Sequence, residues 1–356
     1  MLGVSIYLSN HSVTEQESYI QSMSKLGFTS IFTSLHIPED NPETYKKGLV
    51  DLGKLAKTYD MELFADISPK SLDYLGFPWD NAHHLKEWGL TGLRVDYGIS
   101  DETIAALSNK MKVALNASTI THENMEALRK NGTDFSRIEA WHNYYPRPET
   151  GLSIKDFNEK NKFLKAEGLT VMAFIPGDGE QRGPVYQGLP TIEAHRNRSS
   201  FSSFMEFHHN QWVDKILIGD PSINEDSKRQ FADYRNQVVR LRAKPYTTQE
   251  DIKNQLQEKQ TNRLDPARDV IRSAESRQYG LIGHFPVQAN HTGERTEGSI
   301  TIDNEKYGRY QGEIQITKRN LPADEKVNVI GRVIPEDRYL LPYIKGGVAF
   351  KMEWTE

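Results

Sequence analysis

Residues 137–143 read Arg-Ile-Glu-Ala-Trp-His-Asn. Ile138 and Ala140 alternate here with Glu139, Trp141 and Asn143. Side chains along a strand point to opposite faces in turn. A strand at this position therefore shows small apolar groups on one side and a carboxylate, an indole and an amide on the other. The same alternation recurs along the chain. Val4, Ile6 and Leu8 alternate with Ser5, Tyr7 and Ser9; Leu63, Ala65 and Ile67 with Phe64, Asp66 and Ser68; Leu93 and Val95 with Arg94 and Asp96; Val113 and Leu115 with Ala114, Asn116 and Ser118.

In all, eight β-like runs are legible: Gly3–Ser9, Ser30–His36, Glu62–Ser68, Gly92–Gly98, Lys112–Ser118, Arg137–Asn143, Thr170–Ile175 and Lys215–Gly219. Segments with helical periodicity lie between them, among them Glu15–Lys25, Tyr45–Tyr59 and Ile154–Glu167. Glycines at 27, 89 and 168 punctuate the helix-to-strand passages. Eight β-then-α units within about 240 residues predict an α/β fold, a (β/α)8 TIM barrel. A doubly wound open sheet seldom needs eight units, and no Gly-x-Gly-x-x-Gly follows the first strand. In a barrel the apolar set packs under the helices and the other set points inside. That inner set turns polar toward the C-terminal strand ends, where barrel enzymes place their chemistry. Asp66, Asp96 and Glu139 are then inward-facing carboxylates.

After the eighth run the pattern changes. Glu225–Arg242 reads as one long amphipathic helix, and Thr247–Arg263 as a linker or a solvent-exposed helix. From Asp269 onward short β-like runs follow at Gly280–Phe285, Gly298–Asp303, Gly312–Thr317, Val327–Val333 and Val348–Met352. They predict a small, mostly antiparallel β domain. The expected division is residues 1–240 for the barrel and 241–356 for the β domain.

Composition narrows the function. The chain has 356 residues, 37% of them hydrophobic, with a net charge of −5 in no acidic or basic block. This argues against a nucleic-acid-binding face. No cysteine is present, which removes disulfides, thiolate nucleophiles and cysteine metal sites. The start, MLGVSIYLSN, lacks the basic segment and long apolar run of a signal peptide, and no stretch has the length of a membrane span. A soluble cytoplasmic protein is the expectation. The pairs His83-His84 and His208-His209 splay their rings apart, and His-Glu-x-x-His, Gly-x-Ser-x-Gly and Walker A sequences are absent. What remains is carboxylate chemistry in a polar, aromatic cleft, the profile of glycoside hydrolysis.

Two connections stand out. Trp141–Gly151, WHNYYPRPETG, is stiffened by Pro146 and Pro148. Trp141, Tyr144 and Tyr145 offer flat faces to a sugar, Arg147 suits an anion, and Glu149 suits orientation or proton transfer. The alternative is a packed loop whose aromatics cap the barrel. Pro176–Arg196, PGDGEQRGPVYQGLPTIEAHR, is long and glycine-rich and carries Asp178, Glu180, Arg182, Glu193, His195 and Arg196. Backbone N–H groups and arginines there suit an anion, as phosphate sites near strands seven and eight of barrels do. Asp220, before Pro221, either points into the mouth or makes a turn. Arg277, in the run Arg272-Ser273-Ala274-Glu275-Ser276-Arg277, either binds an anion or pairs between domains.

The opening LGVSIYLS, the loops HNYYPRPETGLS and PGDGEQRGPVYQGLPTIEAHR, the strand end Ile-Gly-Asp-Pro and the run Arg-Ser-x-x-Ser-Arg together resemble the MupG-type 6-phospho-N-acetylmuramidase family. The resemblance spans essentially the whole chain. It implies a TIM barrel followed by a cyclophilin-like domain. It also implies an intracellular bacterial glycosidase of peptidoglycan (cell-wall) recycling that releases N-acetylmuramic acid 6-phosphate from N-acetylglucosamine. The implied partner is a small phosphorylated disaccharide, with no metal or organic cofactor. It assigns no catalytic roles. By pattern the first catalytic candidates are Asp96 and Glu139, with Asp66, Asp178 and Glu180 in reserve. Trp141, His142, Asn143, Tyr145, Arg147, Glu149, Arg182, Glu193, Arg196, Asp220 and Arg277 are the expected substrate contacts. A non-catalytic sugar-phosphate binder or a barrel isomerase or aldolase stays open. An aldolase wants an inward lysine near the mouth, whereas Lys112 and Lys215 stand at strand starts. A peptidyl-prolyl isomerase from the second half rests on fold likeness alone.

Overall fold

The computed structural model describes residues 1–8, 13–35, 42–95, 98–278 and 287–355. All eight runs of the N-terminal part form strands: β1 (Leu2–Ser5), β2 (Ser30–Ser34), β3 (Glu62–Ile67), β4 (Gly92–Val95), β5 (Lys112–Asn116), β6 (Ile138–Trp141), β7 (Thr170–Ile175) and β8 (Lys215–Ile218). They pair in parallel and in sequence order, and β8 closes on β1 with Gly3 opposite Leu217. The helices are α1 (Val13–Lys25), α2 (Pro42–Thr58), α3 (Pro69–Tyr74), α4 (Asp101–Ser108), α5 (His122–Lys130), α6 (Ile154–Ala166), α7 (Ser200–His208) and α8 (Glu225–Tyr234). A longer 3-10 segment, Trp79–Trp88, follows α3. The glycine stops sit in the left-handed region, with φ of 90° at Gly27, 97° at Gly89 and 81° at Gly168, a conformation that costs glycine least.

The interior is layered. Phe32, Phe64, Ala114, Trp141, Met172, Phe174 and Leu217 form one buried cluster inside the ring. Phe64 and Trp141 stand 4.5 Å apart between ring centroids. Gly92 makes room for them, since a Cβ there would lie 2.3 Å from the Phe64 ring. Below this aromatic floor, at the strand starts, the Lys215 ammonium donates to Glu139 Oε1 at 2.7 Å and to Glu62 Oε2 at 2.8 Å. Lys112 pairs with Glu62 and lies 3.7 Å from Glu139. Burial works against ionisation of Glu62, but the two lysines outweigh it and hold its carboxyl below the usual range.

Within this basal network Lys215 and Glu139 are each 5% exposed, while Lys112 and Glu62 reach solvent in part. Removing one partner of a buried pair strands the other. Glu139→Ala is therefore expected to lower unfolding stability by about 3–5 kcal/mol, read from urea denaturation. A much smaller loss would mean that Lys215 is satisfied by Glu62 alone.

Two compact units divide the chain at Ser227/Lys228. In the second, a seven-stranded, nearly closed sheet runs in the order β10 (Gln260–Thr261), β15 (Ala349–Trp354), β9 (Val238–Pro245), β14 (Val327–Val333), β12 (Ser299–Asp303), β13 (Ile314–Thr317), β11 (Val270–Arg272). It is antiparallel except for the β9–β15 pair.

The long helix expected over Glu225–Arg242 is a correction. Helix α8 ends at Tyr234, Gln237 turns the chain at φ 59°, and β9 begins at Val238. Val239, Leu241 and Ala243 are wholly buried along β9, which pairs with six residues of β15. That long-range ladder overrides the local helical period. Thr247–Arg263 contains α9 (Glu250–Gln257), with Ile252 and Leu256 buried on one face, and β10. The run expected at Gly280–Phe285 lies outside the described residues.

Candidate active site

Two residues above the aromatic floor, on the same inward side of each strand, the barrel becomes polar. Ser34 follows Phe32, Asp66 follows Phe64, Asn116 follows Ala114 and Asn143 follows Trp141. Arg94 stands in register with Asp66 on the neighbouring strand. Its Nη1 donates to Asp66 Oδ1 at 2.8 Å, and its Nη2 donates to Asn143 Oδ1. The Arg94 side chain is 4% exposed and that of Asp66 13%. A guanidinium so desolvated requires a counter-charge, and Asp66 supplies one. Sequence reading placed Arg94 inward but not among the site residues. The signal was present: an arginine inside a barrel strand needs an acidic neighbour, and Asp66 is inward on the preceding strand.

Beside this triad lies a second arginine. The guanidinium carbon of Arg182 stacks 3.9 Å from the Tyr7 ring centroid, and Nη1 donates to Tyr144 Oη at 2.5 Å. Tyr7 is fixed in turn by its hydroxyl, which donates to Gly219 O at 2.6 Å. Burial, reinforced by the neighbouring Tyr144, pushes the Tyr7 phenol well above its ordinary pKa, so it stays neutral. Tyr144 packs edge-on against Phe32 and Phe174 at the margin of the floor. Arg182 is thus a half-buried cation held by two phenols. No carboxylate pairs with it among the described residues.

The rim is held by side chains that the sequence suggested for substrate. Arg196 makes a two-pronged pair with Glu193, Nε to Oε1 at 2.5 Å and Nη2 to Oε2 at 2.7 Å. Its remaining donors go to carbonyls of two loops: Nη1 to Gln187 and Gly188, Nη2 to Tyr145 and Arg147. The Glu193 carboxylate also accepts the N–H groups of Glu149 and Gly151. This pair ties the β6–α6 and β7–α7 connections together. Arg196, expected as an anion partner, is corrected to a structural clamp, because its donors are already taken.

Arg196, aided by the two backbone N–H groups, depresses the Glu193 carboxyl to about 2 against partial burial. A folded pKa below the unfolded one gives stability that is present above the ordinary glutamate range and lost as pH falls toward 2. The amides of Glu149 and Gly151 are therefore expected to be protected from hydrogen exchange at pH 5 and to lose that protection near pH 2. Equal protection factors at both pH values would refute the coupling.

Asp220 is likewise committed. It is fully buried, and its carboxylate accepts the N–H groups of Gly177, Arg182 and Leu189 at 2.8–3.1 Å. Burial raises its pKa and these donors oppose the rise. Asp220, expected either to point into the mouth or to make a turn, does neither with its side chain, which anchors the backbone of the β7–α7 connection. Asp178 accepts from the Ser200 N–H at the start of α7, from the Asn224 N–H and from Ser227 Oγ. His195 is buried beside Glu206, 3.2 Å from Nε2 to Oε2.

Three further expectations are corrected by burial. His142 lies on the helix-facing side of its strand, wholly buried, 2.6 Å from Asn161 Oδ1 and packed on Phe157 of α6. Burial, only partly opposed by Asn161, lowers its pKa to about 4. Trp141 is wholly buried in the floor, where its Nε1 donates to Glu139 Oε2 at 2.7 Å. Glu139 points inward but stands beneath Trp141 in the basal network, so it faces away from the mouth.

Asn143 is in the triad, and Tyr145 is half-buried at the rim, where its N–H meets Pro190 O. Arg147, Glu149 and Glu180 are exposed. Asp96 lies outside the described residues. Arg277 falls in α10 (Ala274–Gln278), and its side chain is also outside them. The nearby Ser273 and Ser276 are spent inside the second unit: Ser273 Oγ donates to Gln260 Oε1, and Ser276 Oγ accepts the Ile314 N–H. Among the described residues, no three His, Cys, Asp or Glu side chains gather as a metal site, and no helix is long and apolar enough to cross a membrane.

A closed parallel barrel whose mouth joins an inward carboxylate to two positioned arginines defines a barrel protein built to hold a polar, anionic ligand. Residues 2–233 match the family profile "6-phospho-N-acetylmuramidase, N-terminal", and residues 239–353 match "6-phospho-N-acetylmuramidase, C-terminal". The chain belongs to the 6-phospho-N-acetylmuramidase family, whose name is that of a glycoside hydrolase acting on a phosphorylated sugar. Among solved structures, a conserved Enterococcus faecalis protein of unknown function is 44% identical, with a TM-score of 0.92 over 99% of this chain and 96% of its own. An uncharacterized B. cereus protein is 25% identical, with a TM-score of 0.75 over 99% of each chain. No curated protein sequence gives a significant match.

Proposed function

We propose that the chain hydrolyses the glycosidic bond between N-acetylmuramic acid 6-phosphate and N-acetylglucosamine, as a cytoplasmic enzyme of bacterial peptidoglycan recycling. The observation that carries this reading is Arg182, a partly desolvated guanidinium aimed by Tyr7 and Tyr144 that makes no ion pair with a carboxylate among the described residues. Such a group attracts an anion and rewards one that accepts two parallel hydrogen bonds, as phosphate and carboxylate do. A muramic acid 6-phosphate carries both kinds of anion. Arg147, exposed on the neighbouring rim, is a second contact for them.

The chemistry needs one carboxylic acid to protonate the leaving oxygen and one carboxylate to act at the anomeric carbon, directly or through water. Asp66 is in place at the mouth. Asp96, two residues beyond Arg94 in the sequence, is the second candidate, with Glu180 in reserve. Asn143 and Tyr145 position the sugar ring. The test is to incubate the purified chain with the phosphorylated disaccharide and with its unphosphorylated counterpart, and to follow the products by mass spectrometry. Cleavage of the first and slow cleavage of the second is the expected result. No cleavage of either would remove the activity, and equal rates would remove the anion pocket.

A further inference from the structure

The pairing in the mouth assigns roles as well as positions. We infer that Arg94 is a positioning residue that holds Asp66 as the anionic member of the catalytic pair, so that Asp66 acts at the anomeric carbon and the proton donor is a different residue. This inference rests on the glycosidase reading above.

Three observations carry it. First, Arg94 is anchored on a strand rather than a loop, in register with Asp66, so the 2.8 Å contact is set by the barrel itself. Second, its fork spans three strands, from Asp66 on β3 to Asn143 just past β6. The donor to Asn143 fixes the plane of the guanidinium, and the donor to Oδ1 then sets where the Asp66 carboxylate sits. Third, Glu62 and Glu139, inward carboxylates of β3 and β6, meet Lys112 and Lys215 under the aromatic floor, so on β3 it is Asp66 that meets Arg94 at the mouth.

Among the described residues, Arg94 faces Asp66 from β4, the hydroxyl residue Ser34 is its register partner on β2, and the amide Asn143 stands beyond Arg94; a guanidinium within hydrogen-bond reach of a carboxylate favours the charged form. Along its own strand, Glu62 is a full layer lower and already paired. A general acid must carry its proton at the working pH, and a carboxylate held against a guanidinium is poorly suited to that. It is suited to act as base or nucleophile, with its lone pairs aimed.

The experiment measures kcat/KM against pH for the wild type, Arg94→Met, Asp66→Asn and the double variant, on the phosphorylated disaccharide. Losing the cation is expected to move the acidic limb of the profile up by about 1–3 pH units. In the Asp66→Asn background, the Arg94 substitution is expected to cost little more, because its effect passes through Asp66. An acidic limb that stays in place, or losses that multiply in the double variant, would overturn the inference. If Arg94→Met does not fold, Arg94→Lys keeps the charge but not the fork. The same cycle then decides by whether the losses multiply. A wild type that cleaves neither substrate removes the glycosidase reading and this inference with it, whereas an active wild type with an unmoved limb removes the inference alone.

Discussion

Asp66→Asn is expected to lower kcat on the phosphorylated disaccharide by about 10²–10⁴-fold, the range for losing a positioned acid–base group. The substitution keeps an oxygen for the Arg94 Nη1 donor, so the geometry of the mouth is largely retained. It removes the negative charge that Arg94 was built against. Some stability is lost with it, because a guanidinium 4% exposed then loses the counter-charge of Asp66. Rates should therefore be normalised to the folded fraction, followed by circular dichroism. A folded Asp66→Asn protein with near-normal kcat would end the assignment of Asp66. Asp96→Asn is expected to show a loss of the same order. Normal turnover in that variant would move the proton-donor role to Glu180 or another rim carboxylate.

The second large effect is expected at Arg182. Arg182→Met keeps much of the side-chain volume over Tyr7 and leaves the backbone bond to Asp220 intact. It deletes the charge. Removing one member of a desolvated, hydrogen-bonded charge pair costs about 2–5 kcal/mol. At 1.4 kcal/mol per decade, that is roughly a 30-fold to few-thousand-fold fall in kcat/KM for the phosphorylated substrate. Weak turnover of an unphosphorylated analogue should change little, because it presents no phosphate to lose. The informative quantity is the ratio of the two. If both substrates suffer equally, Arg182 does not read the phosphate, and it either meets the carboxylate that both substrates keep or only supports the mouth.

Much of the barrel was legible because its signal is periodic and local. Four other strands repeat the alternation seen at Arg137–Asn143, and the glycine at position 27, 89 or 168 ends its segment in a conformation that glycine favours. The height of a residue inside the barrel was not legible. Glu139 and Asp66 carry the same inward signature. Yet Glu139 stands near the start of its strand and Asp66 near the end, and the shear of the ring then places one below Trp141 and the other above Phe64. Arg196 and Arg182 were equally indistinct. They lie fourteen residues apart in one loop, and only the folded connection shows that one is consumed by carbonyls while the other is aimed into the mouth. His142 follows Trp141 directly and so faces the opposite side of the strand, which alternation did imply. The helix expected across Val238 failed for a different reason, since β9 owes its form to β15 more than a hundred residues later.

The Glu193–Arg196 clamp bears on how quickly a ligand is captured. Because one guanidinium gathers the carbonyls of Tyr145, Arg147, Gln187 and Gly188, the ordering entropy of both connections is settled once, when the chain folds. An arriving saccharide then meets walls already standing, so encounter and recognition merge into a single kinetic step instead of a docking followed by a slow closure.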